Sequence, residues 1–454
     1  MSLTAEALYH RSPIWMQNLL VSSFGYYLFR RRYSGNYHDI LQQVRLSREW
    51  NVQEVYTHQS EQLHAMAAYC RHHIPWYQKL FADHGLHEND FTRPEDVRKL
   101  PVLDKQTLRK HHQDFRAPGA KPFMVQHTSG STGTPLSLAV DARTYRLAMA
   151  LLVDHEEYHG VPFGARRATF AGRMIQPSER MTPPFWRMNR AENQQFFSSY
   201  HLNDQTFPWY RDELERFRPL EIIGYPSAIF DLAMHFRRSG SRPAFSPKII
   251  VTNSETVLPH QRETMESVFG CPVMDYYGTA EYVLFAGQGS DHHYHPSPLP
   301  GITELAPNDL DSETRVLTAT TLTNRTMPLL RYEIGDTAIP AYPSEPAIGT
   351  PVLASISGRK DDYVETSDGR RIGRLDHIFK GVEGIKEAQV VQDRPGSITL
   401  RLVEDGLTEI NQERLMENCR QRLGEGTAIT VERLSQIPRA ANGKFRSVVR
   451  CEQC

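Results

Sequence analysis

Three apolar runs in the middle of the chain restrict its fold more than any other feature. "EIIGYPSA" (221–228), "PKIIVTNSE" (247–255) and "CPVMDYYGTAE" (271–281) each read as a buried strand running into polar residues. Helical stretches at 210–218, 228–237 and 260–269 alternate with them. Shorter strand-like segments then crowd together around 302–305, 315–321 and 329–339. Alternating strands and helices followed by clustered strands predict an α/β fold with an added β-rich part. The chain has 454 residues, enough for several such layers.

Upstream, 53–82 has the spacing of one helix, and a capped helix is expected to start near Asp104. The segment "PFMVQHTSG" reads as a short strand entering a loop. Composition shifts at "PAIGTPVLASISGRKDD" (346–362). Beyond it, strands near 363–365, 386–392, 397–403 and 427–433, with a helix at 408–422, predict a small α+β unit. The expected domains are 1–358 and 359–454.

The formal net charge is −1, so no global field favours nucleic acid. No run of about 18 apolar residues is present to span a bilayer. The five cysteines are too scattered for a disulfide framework, and the expected location is the cytoplasm. The segment "WMQNLLVSSFGYYLF" (15–29), followed by Arg30–Arg32, admits two readings. One is a membrane-surface helix with basic anchors, a peripheral membrane contact. The other, the commoner design, is a helix packed on its own domain with solvated arginines beside it.

Several loops carry residues suited to chemistry. "HTSGSTGTPL" (127–136) holds Thr128, Ser129, Gly130, Ser131, Thr132 and Gly133, whose amides and hydroxyls suit a phosphate. A ligand-free Ser/Gly turn would look similar. It is not a Walker loop, because Thr134 and Pro135 follow Gly133. "YYGTAE" puts Glu281 beside a Gly turn, where a carboxylate suits Mg²⁺ or is merely solvated. "LRYEIGDTA" (330–338) places Asp336 after Gly335, able to accept from a ribose diol or to serve as a turn residue. "IPRAANGKFR" (437–446) sets Lys444 just past an Asn-Gly turn.

Taken in order, "TSGSTGTP", "YGTAE", "RYEIGD", "GRKDD" and "PRAANGK" resemble the five motifs of the adenylate-forming superfamily of acyl-CoA synthetases and adenylation domains. "HHIPWYQKLF", "LPVLDKQTLR", "GYPSAIFDLA" and "GRRIGRLDHIFKGVEGIKEAQVVQ" resemble its phenylacetate–CoA ligase-like branch, and within it the CapK-type proteins of polysaccharide clusters. The resemblance implies a large N-terminal domain and a small mobile C-terminal one, hinged about Asp361. It implies ATP and Mg²⁺, with a small carboxylic acid converted to acyl-AMP. CoA would then take the acyl group as co-substrate, or an amine or hydroxyl would. A non-catalytic nucleotide-binding relative is a third reading, disfavoured by Glu281, Asp336, Arg359 and Lys444.

On these residues the resemblance gives Glu281 the Mg²⁺, Thr128–Thr134 the leaving phosphates and Lys444 the carboxylate and α-phosphate oxygens. Asp336 and Arg359 would take the ribose. Asn253, Ser254, Glu255, Tyr276, Tyr277 and Gly278 would frame the adenine. Tyr200, His201, Gly224, Tyr225 and Ser227 would form the acid pocket. Ala280 stands where most relatives put a hydroxyl, and Thr279 is the neighbour that would replace it. Many relatives bind structural zinc through cysteines; here "AGQGSDHHYH" (286–295) and "YPSEPAIGTPVL" (342–353) contain none, leaving His292, His293 and His295. No zinc is expected. Cys451 and Cys454 read as two exposed thiols. A homodimer is an assembly the resemblance leaves open.

Overall fold

A computed structural model describes residues 8–127, 136–171, 175–177, 180–308, 311–343, 347–359, 363–367, 371–372, 375–379, 382–404, 406–424, 426–439 and 445–450. The chain divides into two compact units. The large one comprises 1–305, 317–334 and 340–355; the small one comprises 306–316, 335–339 and 356–454.

In the large unit, five strands run parallel in the order Gln194–Phe197, Arg167–Phe170, Glu221–Gly224, Ile249–Thr252, Val273–Gly278. Side chains alternate between the sheet's faces. Ile222, Ile250 and Val273 pack with Phe170, Phe197, Tyr210, Ile229 and Phe236 on one face. Ile223, Ile249, Val251 and Met274 pack with Val161 on the other. Both faces are covered, as continuous apolar strands require. The helices Phe207–Phe217, Pro226–Arg238 and Pro259–Phe269 each carry Pro in their first turn, where its missing N–H costs nothing.

Beyond Val273–Gly278 the sheet turns antiparallel through Phe285–Gln288 and Tyr294–Pro296. The crowded strands of the β-rich part follow, including Gly301–Pro307, Arg315–Thr321 and Tyr332–Pro340. At the opposite edge lies Trp186–Asn189, antiparallel to its neighbour. The helix Ile14–Arg32 covers that edge strand. Asn18 Oδ1 accepts from the Met188 amide at 3.0 Å, and Ser22 Oγ donates to the Met188 carbonyl at 3.1 Å. Gln17 Oε1 accepts from Arg187 Nε at 2.6 Å. The helix thus satisfies backbone groups that an open edge would leave exposed. A Cβ at Gly25 would meet the Asn189 side chain, which would have to shift for the helix to pack this closely.

Several expectations need correction. The single helix over 53–82 is two, Val52–His73 and Pro75–His84. Pro75 cannot donate into a continuing helix and pushes Ile74 into an extended conformation. The arginines after the N-terminal segment are not all solvated. Arg32 pairs with Glu192 at 2.9 Å, and Arg31 lies 4.1 Å over the Phe123 ring and donates to the Phe123 carbonyl. The helix Ala142–Tyr158 was not anticipated; Asp141 caps it by accepting from the Thr144 amide at 2.8 Å. The Asp104 cap is present, with Oδ1 accepting from the Gln106 and Thr107 amides.

The small unit has a four-stranded sheet in the order Ala428–Arg433, Ser397–Glu404, Ile385–Arg394, Val448–Arg450. Its central pair is a hairpin turned by Pro395-Gly396, where Gly396 takes a φ of 74°. The helix Glu409–Leu423 buries Leu415, Cys419 and Leu423 against Val390, Ile398, Leu400 and Leu402.

Candidate active site

The parallel strands finish level with one another: Phe170 pairs with Gly224, and Gly224 with Thr252. Ligands of open α/β sheets collect beyond such carboxyl ends. Many of the expected site residues lie there. Tyr200 and His201 follow Gln194–Phe197, Tyr225 and Ser227 follow Glu221–Gly224, Asn253–Glu255 follow Ile249–Thr252, and Thr279–Glu281 follow Val273–Gly278. The strand written "CPVMDYYGTAE" therefore stops at Gly278, and Glu281 sits in the turn beyond it.

The turns are tied to one another. The Asn253 amide donates to the Gly224 carbonyl at 3.2 Å. Glu255 Oε2 accepts from the Ser227 amide at 3.2 Å, placing its negative charge at the start of the helix Pro226–Arg238. Ser254 holds a φ of 68°, uncommon for a residue with a side chain, and its hydroxyl donates to Asn253 Oδ1 at 2.9 Å. Gly224 has no room for a Cβ, which would strike the Phe170 carbonyl. The loops that follow Glu221–Gly224 and Ile249–Thr252 are thus tied to each other.

Glu281 is a buried carboxylate at the end of this row. Its Oε1 accepts from the hydroxyl of Tyr332 at 3.1 Å. Tyr332 is wholly buried and opens the strand that carries "RYEIGD". That strand is clamped to the "LPVLDKQ" segment, because the Leu103 amide donates to the Arg331 carbonyl and the Glu333 amide to the Leu103 carbonyl, both at 2.9 Å. Two motifs about fifty positions apart in sequence therefore meet in one hydrogen bond. Thr279 closes the intervening turn: its Oγ1 accepts from the Val283 amide at 3.3 Å and its carbonyl from Tyr282.

Other expected residues are placed differently. Strand alternation sends Tyr276 and Tyr277 to opposite faces, so they do not share a wall. Tyr276 stacks on Phe285 at 5.5 Å and meets His155 edge-on at 6.3 Å. His201 does not line an open pocket. It is wholly buried; Ser198 Oγ lies 2.6 Å from its Nδ1 and the Pro177 carbonyl 3.0 Å from its Nε2, and its ring stacks on Phe185. Asp336 lies farther along the strand that Tyr332 opens, within the small unit, next to Gly335 at a φ of 93°. Arg359 ends the strand Leu353–Arg359. Thr128, Ser129, Gly130, Ser131, Thr132, Gly133, Asp361, Lys444, Cys451 and Cys454 lie outside the described residues. His295 Nε2 is 3.1 Å from Asp291 Oδ2, and His293 meets Tyr342 edge-on. Among the described residues no cluster of three His, Cys, Asp or Glu is arranged for a metal.

Sequence reasoning missed Asp275. It lies three residues before Gly278, buried, accepting from Thr252 Oγ1 and from the Tyr294 hydroxyl at 2.6 Å each. Burial pushes its carboxyl up to about 7 against those two donors. A buried ion triad was also missed: Arg167 pairs with Glu221 at 2.6 Å and with Glu156. Burial raises the Glu156 carboxyl above its ordinary value. The members of each cluster come from different strands and helices, so no local pattern announces them.

Residues 364–451 match the family described as the CapK C-terminal domain. The chain is 26% identical over 97% of its length to protein CapK of Staphylococcus aureus, 98% of which is covered. It is 24% identical to the phenylacetate–coenzyme A ligase of Thermus thermophilus, over 86% of this chain and 95% of that one. CapK and these ligases are its homologues. The fold is that of 2-hydroxyisobutyryl-CoA ligase, solved in its postadenylation state with R3-HIB-AMP, at a TM-score of 0.66 and 18% identity over 86% and 88% of the two chains. This chain is α/β with a C-terminal domain.

Proposed function

We propose that this protein is an AMP-forming acid ligase. It activates a small carboxylic acid with ATP to acyl-AMP, releasing pyrophosphate, and passes the acyl group to CoA. The observation that carries the reading is the buried Glu281, held by Tyr332 at the carboxyl end of a parallel sheet. Its phenylacetate–coenzyme A ligase homologues support the choice of reaction.

In the first half-reaction two anions, the acid carboxylate and the α-phosphate, must approach. Negative charge on the phosphoryl oxygens has to be spread, and preorganised cationic or N–H donors are worth about 2.7–4 kcal/mol each. Glu281 fits a hard cation, being a carboxylate oxygen donor fixed by its neighbour; Mg²⁺ commonly takes one or two such ligands plus substrate phosphates. Magnesium, when bound, neutralises charge on the triphosphate. The loop Thr128–Gly133 holds the leaving β- and γ-phosphates with its amides and hydroxyls. Lys444 bridges the attacking carboxylate and the α-phosphate. Asp336 accepts from the ribose hydroxyls, with Arg359 beside it. Asn253, Ser254, Glu255, Tyr277 and Gly278 frame the adenine, and Tyr200, Tyr225 and Ser227 border the acid. Tyr276 backs that wall from the opposite face of the strand. In the second half-reaction the C-terminal domain turns about Asp361, withdraws Lys444 and admits CoA, a closure that gates chemistry.

ATP–pyrophosphate exchange across a panel of aryl, short-chain and amino acids tests the proposal. Acid-dependent exchange is expected, with AMP accumulation that requires CoA. AMP formation driven instead by an amine or hydroxyl acceptor would reassign the second half alone. Lys444→Ala should lower exchange by roughly 10²–10³ while ATP binding persists. Exchange at the wild-type rate in that variant would refute the role of the lysine.

A further inference from the structure

The helix Ile14–Arg32 turns its polar side, not its apolar one, toward the fold. Its inner side packs on the edge strand Trp186–Asn189 through Gln17, Asn18, Ser22 and Gly25. The outer side presents Trp15, Leu19, Leu20, Phe24, Tyr26 and Tyr27 to solvent, with Trp15 66% and Phe24 60% exposed. On a helical projection these six fall within about half the circumference, one continuous band. Large exposed apolar patches on a protein surface mark interaction sites.

The charge around the band identifies what covers it. From Leu8 to His38 the sequence contains no acidic residue and four arginines. Arg11 and Arg30 are exposed at the two ends of the helix, Arg190 is exposed on the segment that touches it, and Arg180 is exposed beside His10 just ahead of it. Arg190 is placed by its amide, which donates to Ser22 Oγ at 3.1 Å; Arg180 Nη1 reaches the His10 carbonyl at 3.5 Å. Glu192 pairs with Arg32 at 2.9 Å and accepts a hydrogen bond from the Asn189 side-chain amide. An aromatic and aliphatic band rimmed by cations complements an anionic bilayer surface: the rings seat at headgroup depth while the arginines meet phosphates. No helix among the described residues is long and apolar enough to cross a membrane.

We infer that the outward face of the helix Ile14–Arg32 docks this protein on an anionic lipid surface, with Trp15, Leu19, Phe24 and Tyr27 inserted and Arg11, Arg30 and Arg190 on headgroups. The inference is independent of the ligase reading. It implies that the reaction on the large unit takes place at a membrane face.

Sedimentation of the full-length protein with vesicles tests it, using phosphatidylcholine alone and phosphatidylcholine containing about a third phosphatidylglycerol. Binding to the anionic vesicles is expected to weaken as salt rises, as is a weaker association with the neutral ones. The double variant Trp15→Ser, Phe24→Ser should bind anionic vesicles roughly tenfold or more weakly. Its thermal midpoint should hold, since both side chains point outward. Arg11→Glu with Arg30→Glu should abolish the anionic preference. Failure of the wild type to bind either vesicle overturns the inference. So does a self-association of the wild type that the double variant abolishes, because the band would then be an interface between copies.

Discussion

One strand and its turn carry two carboxylates that live under opposite rules. Asp275 lies inside the sheet with both oxygens occupied by the hydroxyls of Thr252 and Tyr294, and its backbone amide donates to Gln288 Oε1 at 2.9 Å. Glu281 lies six residues on, beyond the strand end, positioned by Tyr332. The first is walled in by partners from neighbouring strands and holds the sheet together. The second belongs to a turn at the carboxyl edge, where α/β sheets take their ligands. Burial alone does not distinguish structure from chemistry. What distinguishes them is which end of the strand the carboxylate occupies and what holds it.

The largest effect is expected at Glu281. Glu281→Gln keeps the shape and the Tyr332 contact but removes the charge, and should cut acid-dependent pyrophosphate exchange by roughly 10²–10³. Its melting temperature should change little. Asp275→Ala should do the reverse in kind: leaving two buried hydroxyls without their acceptor costs about 1–3 kcal/mol each. The readout is a denaturation midpoint, and unchanged stability would show that the inner carboxylate is not structural.

A smaller effect is expected from Tyr332→Phe, which removes one hydrogen bond to Glu281 and costs about 0.5–1.5 kcal/mol of stability. Exchange should fall more than stability does, with the loss concentrated in the Mg²⁺ dependence. An unaltered Mg²⁺ titration would separate Tyr332 from the site. The smallest effect concerns pH. Burial holds the Asp275 carboxyl up at about 7, above its unfolded value of about 3.9. The folded state therefore binds the extra proton between those values. The stability this contributes is complete below about pH 4 and is lost as pH rises to about 7. Asp275→Asn should flatten that part of the curve of melting temperature against pH. An identical slope in the variant would place the proton elsewhere.

Much of this arrangement was legible beforehand. The strands Ile249–Thr252 and Val273–Gly278 announce themselves as apolar runs, and the Asp104 cap as an Asp before a helical pattern. The order of the motifs indicated which loops to examine. The Pro75 break was visible in the sequence, since proline cannot continue a helix, but the apolar spacing on both sides masked it. The helix Ala142–Tyr158 was equally visible in its Asp141 cap and its Ala and Leu spacing. The Thr252–Asp275–Tyr294 and Arg167–Glu156–Glu221 clusters were not legible. Each depends on strands and helices brought together only by the tertiary fold. The inward position of His201 likewise depends on Phe185 and Pro177, about two dozen residues or fewer upstream, folding over it.

Pyrophosphate exchange by Glu281→Gln beside the wild type, with an accepted acid and saturating ATP, is the most direct measurement. A loss of exchange by two orders of magnitude or so at an unchanged melting temperature is the outcome this account requires. A variant that exchanges as fast as the wild type would contradict it, since the buried carboxylate beyond the strand would then have no part in handling the triphosphate.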